Sequence, residues 1–211
     1  MERLKCLLLQ QMITRPRFKW NLPVGNAQTL LEAAYRAEVE YRQRPVQYDQ
    51  TTEDNVKRVA EVLTNEKSAK FGLMLCGLFG NGKTTMLYAV RNATNFLSDR
   101  GMWTEPKGIV ITDAKEVGQY ARDIRRFNDL RQKELLAVED MGREANEIVE
   151  YGNVISPVID LLEYRYNHQL FTIITTNLRA EEIRAKYGPR IADRFNEMLD
   201  VIVFRGVSYR N

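Results

Sequence analysis

At 211 residues, 44% of them hydrophobic and 28% charged, the chain is long enough for one ordinary domain plus an appendage and too apolar to be disordered throughout. Its 31 Lys and Arg against 28 Asp and Glu leave a net charge of +3, which by itself does not argue for a nucleic-acid partner. Two cysteines, Cys6 and Cys76, exclude a disulfide framework and suit a reducing cytosol.

The chain begins with a stretch, Met1 to Ile13, that is apolar but carries charges and lacks a small-residue cleavage site, so it does not read as a signal peptide. No apolar run approaches the roughly 20 residues of a bilayer crossing, and a soluble, cytoplasmic protein without a membrane partner is expected. Residues 1–46 form a helical N-terminal extension: a short helix within LKCLLLQQMI, a basic and aromatic loop from Arg15 to Trp20, and a helix from Ala27 to Arg44 ended by Pro45. This extension serves either as a brace on the main domain or as a docking arm for a partner; the pattern leaves both open.

Residues 47–211 read as one α/β domain. A helix starts near Thr51, with Val56, Val59, Ala60 and Leu63 on one face. An apolar strand, Gly72 to Cys76, is followed by a glycine-rich turn and a helix from Lys83 to about Leu97. Ile109–Thr112 is a second strand, Ala114 to Phe127 a helix, and Leu135–Val138 a third strand ending in Glu139-Asp140. A helix from Pro157 to Asn167, a fourth strand from Phe171 to Thr175, helices over 180–186 and 189–199, and a fifth strand from Val201 to Phe204 complete the series. Strands alternating with helices predict a parallel sheet covered on both faces.

The glycine-rich turn carries the chemistry. Gly77, Gly82, Lys83 and Thr84 fill every slot of G-x-x-x-x-G-K-[ST], with Gly80 as an extra glycine between them. Glycines let successive backbone N–H groups converge on one anion, and the following helix adds its positive N-terminal end. Gly77, Phe79, Gly80, Asn81, Gly82, Lys83, Thr84 and Thr85 are the expected nucleotide-binding residues, with Lys83 on the β- and γ-phosphates and Thr84 on Mg²⁺.

Such a loop needs carboxylates to hold the cation and orient an attacking water, at the C-terminal end of the strand beside it. Glu139-Asp140 fits. The usual order is Asp then Glu, so the reversed pair leaves Glu139 on the Mg²⁺ side and Asp140 on the water. Because attack is sensitive to displacements of about 1 Å, ATP binding is a firmer expectation than rapid hydrolysis. Asn177, in Thr175-Thr176-Asn177, either touches the γ-phosphate or caps the next helix.

The ordered set, a phosphate loop at the first strand, paired acids at the third and T-T-N at the fourth, resembles AAA+ ATPases. A finer likeness is to the DnaC/DnaI-type helicase loaders and the IstB-type transposition helpers. Three stretches carry it: Glu163-Tyr164-Arg165-Tyr166-Asn167, the run from Gly188 to Phe195, and Gly206-Val207-Ser208-Tyr209-Arg210. The resemblance implies a three-layer P-loop NTPase with a five-stranded parallel sheet and no C-terminal lid domain. It also implies ATP and Mg²⁺ as cofactors, Asn177 as the γ-phosphate sensor, and Arg194 as an arginine finger acting on a neighbouring subunit of an ATP-dependent homo-oligomer. Arg190, one turn earlier, is a second candidate. The implied partner is a replicative helicase or a transposase, which the sequence does not separate, with single-stranded DNA alongside.

Arg122, Arg125, Arg126 and Arg131 around Phe127 are the candidate DNA contacts, basic groups with an aromatic stacking platform among them. Asp123, Asp129 and Glu134 lie in the same stretch, so an ordinary solvated helix end reads equally from the pattern. Rival readings of another class are a small-molecule P-loop kinase, for which no arginine-rich lid is found, and a nucleotide-switched binding module that hardly hydrolyses.

Overall fold

The computed structural model describes residues 1–11, 17–145, 148–150, 153–205 and 209. After α1 (Glu2–Gln11) come α2 (Val24–Tyr41) and α3 (Gln50–Thr64), whose N-cap Asp49 accepts from the Thr52 N–H. Then follow β1 (Gly72–Gly77), α4 (Lys83–Asp99), β2 (Val110–Asp113), α5 (Ala114–Tyr120), α6 (Ile124–Gln132) and β3 (Leu135–Met141). The C-terminal half holds β4 (Ile148–Glu150), β5 (Asn153–Ile155), α7 (Pro157–Asn167), β6 (Phe171–Thr176), α8 (Ala180–Tyr187), α9 (Pro189–Met198) and β7 (Leu199–Phe204).

Five strands form one parallel sheet in the order β2-β3-β6-β1-β7. Its inner strands are apolar on both faces, as a covered parallel sheet requires. On one face Leu73, Leu75 and Ile173 pack against Val59 of α3 and Leu87 and Val90 of α4. On the other, Met74, Leu136, Val138 and Ile174 pack against α5 to α9 through residues such as Val117, Leu161 and Phe195. Phe18, Trp20, Ala27, Leu31 and Tyr35, all within the sequence-based extension, lie in the first of these cores, and the Trp20 indole N–H reaches Thr94 Oγ1 at 3.3 Å. Among the described residues, α2 packs on both α3 and α4.

The topology differs from expectation in three places. The strand carrying the acid pair is not the neighbour of β1; β6 lies between them, so T-T-N, rather than Glu139-Asp140, ends the strand beside the phosphate loop. The helix expected over 114–127 is two helices, because the Asp123 carboxylate caps the N–H groups of Arg125 and Arg126 and starts a new one. A two-stranded antiparallel hairpin, β4-β5, precedes α7 where no strand is expected. Arg15 and Pro16 of the basic loop, and Gly206 to Ser208 and Arg210 of the terminal motif, lie outside the described residues.

Candidate nucleotide site

The loop from Gly77 to Gly82 runs from the end of β1 to the start of α4, with positive φ at Gly77, Gly80 and Gly82 (144°, 80° and 88°). At Gly77 the requirement is also steric: a Cβ would meet the Phe204 carbonyl oxygen at 2.4 Å and Asn81 Nδ2 at 2.7 Å. Asn81 Nδ2 donates to that same Phe204 oxygen at 2.8 Å, tying the loop to β7. Lys83 is 5% exposed, and its Nζ donates to Gly77 O, Leu78 O and Asn81 Oδ1 at 2.8, 2.7 and 3.0 Å. The ammonium is therefore held inside the curl of the loop, where phosphate oxygens would meet it. Phe79 is exposed at the mouth, and Thr84 and Thr85 open α4.

Of the acid pair, Asp140 lines the cavity and Glu139 meets Thr84. Thr84 Oγ1 donates to Glu139 Oε1 at 2.6 Å, so the two groups expected to hold Mg²⁺ are in direct contact. Burial pushes the Glu139 carboxyl above its ordinary range, partly offset by the Thr84 bond. A hydroxyl and a carboxylate oxygen at this spacing fit a hard divalent cation that takes its remaining ligands from phosphate and water. The β3–β6 register slips between Val138 and Met141, a bulge that re-aims the acid pair. Asp140 takes φ 53°, donates its N–H to Thr175 Oγ1 at 2.9 Å, and sets its carboxylate against the Arg143 guanidinium.

Asn177 lines the cavity, and helix α8 has Arg179 as its N-cap residue, so the capping alternative for Asn177 does not hold. The cavity, about 650 Å³, is walled by the phosphate loop, by Asp140, Arg143 and Asn177, by Tyr209 of the terminal motif, and by Tyr35, Arg42, Arg44 and Gln47 from outside the motifs. Arg42 is fixed by Glu38, itself 4% exposed, through 2.8 Å contacts. Tyr209, the one described residue of the terminal motif, bonds its N–H to Gly80 O at 2.9 Å and its hydroxyl to Asp49 and Thr52. Sequence reasoning missed Arg42 and Arg143. Arg42 has no sequence signal, since a helix-end arginine is ordinary; Gly142, a turn residue between the acids and Arg143, hints at the second.

The arginines and the DNA candidates lie elsewhere. Arg194 is mostly buried, ion-paired with Glu163 and stacked over the Tyr166 ring at 4.9 Å. Arg190, its side chain 73% exposed, reaches the same Glu163 oxygen at 3.2 Å. Phe127 is 6% exposed and belongs to the core, which removes it as a stacking platform: α6 turns its ring inward to cover the sheet. Arg131 lies over the Tyr164 ring at 4.4 Å, while Arg122, Arg125 and Arg126 are exposed. His168, the only histidine, ends α7 with its ring stacked on Tyr164. Among the described residues, no helix is long and apolar enough to cross a membrane.

No protein-family model matches the chain, and no curated protein matches it in sequence. Solved structures do. It is similar to the crystal structure of the DnaC helicase loader, with TM-score 0.59 and 19% identity over 82% of this chain and 99% of that one. It is similar to DnaI, with TM-score 0.59 and 22% identity over 85% and 93% of the two chains. A replication initiator, DnaA bound to AMPPCP and single-stranded DNA, matches with TM-score 0.50 and 15% identity over 75% and 46%. The chain shares the fold of the DnaC and DnaI structures: a five-stranded parallel sheet in three layers, with the glycine-rich loop at the end of its fourth strand in space.

Proposed function

We propose that the chain is an Mg²⁺-dependent ATP-binding AAA+ ATPase of the helicase-loader type, coupling ATP binding to engagement of a replicative helicase and single-stranded DNA. The observation that carries the reading is Lys83, inside the phosphate loop, beside Thr84 on the same cavity, with Glu139 in direct contact with the Thr84 hydroxyl. That set supplies the parts phosphoryl transfer needs: a cradle and cation for the β- and γ-phosphates, and an oxygen pair for Mg²⁺. Asp140 would orient the water that attacks the γ-phosphorus as the bond to the bridging oxygen breaks, and Asn177 would contact the γ-phosphate. Arg194 would complete a neighbouring subunit's site, making ATP the link of a homo-oligomer. Two of the similar structures support the replication branch over transposition: one is a helicase loader, the other an initiator bound to a nucleotide analogue and single-stranded DNA.

The ion pair between Asp140 and Arg143 favours a second reading, a nucleotide-switched binder that hydrolyses slowly. One experiment addresses both: anisotropy of a labelled oligo-dT strand with ATP, with ADP and with neither, alongside phosphate release. DNA binding that requires ATP and vanishes in Lys83→Ala supports the loader reading, and slow release with intact switching selects the second. Absence of DNA binding in every nucleotide state overturns the DNA-handling assignment.

A further inference from the structure

At the bulged end of β3 the chain makes an unusually constrained turn. Asp140 and Gly142 both take positive φ, 53° and 112°, and the Arg143 N–H closes the turn on Asp140 O at 3.3 Å. A non-glycine residue in this region costs of order 1–3 kcal/mol unless its surroundings hold it there. They do. Thr175 Oγ1 accepts from the Asp140 N–H at 2.9 Å, Thr176 Oγ1 donates to Met141 O at 2.6 Å, and a Cβ on Gly142 would strike Leu178 at 2.8 Å. Beyond the turn, the Glu144 carboxylate accepts from the Gly142 N–H at 2.9 Å and from the Tyr187 hydroxyl. Lys186 Nζ bonds Glu144 O at 2.8 Å, fastening the segment to α8. The effect of this scaffolding is to present the Arg143 side chain, about half exposed, on the cavity wall that also carries Lys83, Asp140 and Asn177.

An exposed arginine–carboxylate pair contributes little stability, so the pair does not explain why the turn is built. Its position does. A γ-phosphate entering this cavity brings about two negative charges toward the Glu139 and Asp140 carboxylates, and Arg143 is a cation on the Asp140 side of the cavity that adds to Lys83 in offsetting them. We propose that Arg143 is a γ-phosphate-sensing residue acting within its own subunit, exchanging the Asp140 carboxylate for the terminal phosphate and thereby freeing Asp140 to orient water. This rests on the nucleotide reading above. The guanidinium fork suits the exchange, because it engages a carboxylate or a phosphate with the same parallel N–H groups. ADP, which lacks the terminal group, leaves the Asp140–Arg143 pair in place, and that makes the pair a discriminator between the two nucleotides.

The test compares Mg²⁺-ATP and Mg²⁺-ADP dissociation constants, measured with fluorescent analogues, in the wild type, Arg143→Ala, Arg143→Lys, Asp140→Asn and the Arg143→Ala, Asp140→Asn double variant. Thermal melts confirm folding of each. Arg143→Ala should weaken ATP about tenfold or more, the loss expected for a charge-assisted contact, while ADP changes less than about twofold. Lysine should restore part of the ATP affinity. Asp140→Asn should tighten ATP selectively, since Arg143 no longer has a competing partner, and should tighten it clearly less in the Arg143→Ala background, where only the repulsion of the Asp140 charge is relieved; the difference is the coupling a double-mutant cycle reads. ATP and ADP falling together, or neither changing, overturns the sensing role while leaving the nucleotide site intact. No binding of either nucleotide to the wild type overturns the nucleotide reading itself.

Discussion

Thr84 Oγ1, in the first turn of α4, donates a 2.6 Å hydrogen bond to Glu139 Oε1 at the end of β3, reaching across the intervening strand β6. Two residues 55 positions apart are thus brought to one point by the strand order. The bond length is that of a hydroxyl facing a carboxylate. Because β6 lies between β1 and β3, Asn177, which follows β6, lines the same cavity as Thr84 and Asp140.

Lys83→Ala should abolish nucleotide binding while leaving the fold intact. The ammonium makes three bonds to the phosphate loop itself, so its loss removes both a charge for phosphate and a brace of the cradle. Two or three charge-assisted contacts correspond to a loss of roughly a hundredfold or more in affinity. Titration with a fluorescent ATP analogue checks this, with a thermal melt to exclude unfolding.

Arg194→Ala should spare ATP binding and lower turnover by roughly a thousandfold, the usual range for a finger arginine. In the isolated chain Arg194 is held by Glu163 and Tyr166, so it has to exchange these partners to serve a neighbour. Turnover per subunit should therefore rise with protein concentration, and Glu163→Gln should raise it further at low concentration. Phosphate release across a dilution series reads both effects; concentration-independent turnover rules out action in trans.

Much of this is legible in the residues because it rests on local rules. The phosphate loop follows from glycine spacing, and the apolar runs of β1, β3 and β6 announce strands covered on both faces. What escapes depends on tertiary placement. Which strand sits beside β1 is not encoded in any one segment, so the sequence pattern puts the acid pair one position too near. Phe127 sits among arginines in sequence, yet the pitch of α6, restarted by the Asp123 cap, turns it into the core. Arg42 and Arg143 are ordinary surface arginines by pattern; Glu38 and the turn at Asp140 make them cavity residues.

Arg165→Met should destabilise the fold by roughly 3 kcal/mol or more, read by urea denaturation. The guanidinium is fully buried, and its acceptors are the Thr172 hydroxyl and the carbonyls of Arg131, Lys133, Glu134 and Phe171. It pins the α6–β3 connection to α7 and β6. Burial without a carboxylate among these acceptors pushes its pKa down to about 9. Methionine fills similar volume but leaves the carbonyls unpaired. A loss below about 1 kcal/mol would mean that water replaces the guanidinium.

DNA binding through the α5–α6 face should depend on its exposed arginines and not on its aromatic ring. Replacing Arg122, Arg125 and Arg126 with alanine should weaken oligo-dT binding and flatten its dependence on the logarithm of salt concentration by about 2, as expected for three lost phosphate contacts on a single strand. Phe127→Ala should instead cost about 3 to 5 kcal/mol of stability, as a large core truncation does, with DNA affinity per folded molecule unchanged. Anisotropy over a salt series, paired with denaturation curves, separates the two effects. An unaltered salt slope in the triple variant would remove this face as the DNA contact and direct attention to other exposed basic residues, beginning with Arg190.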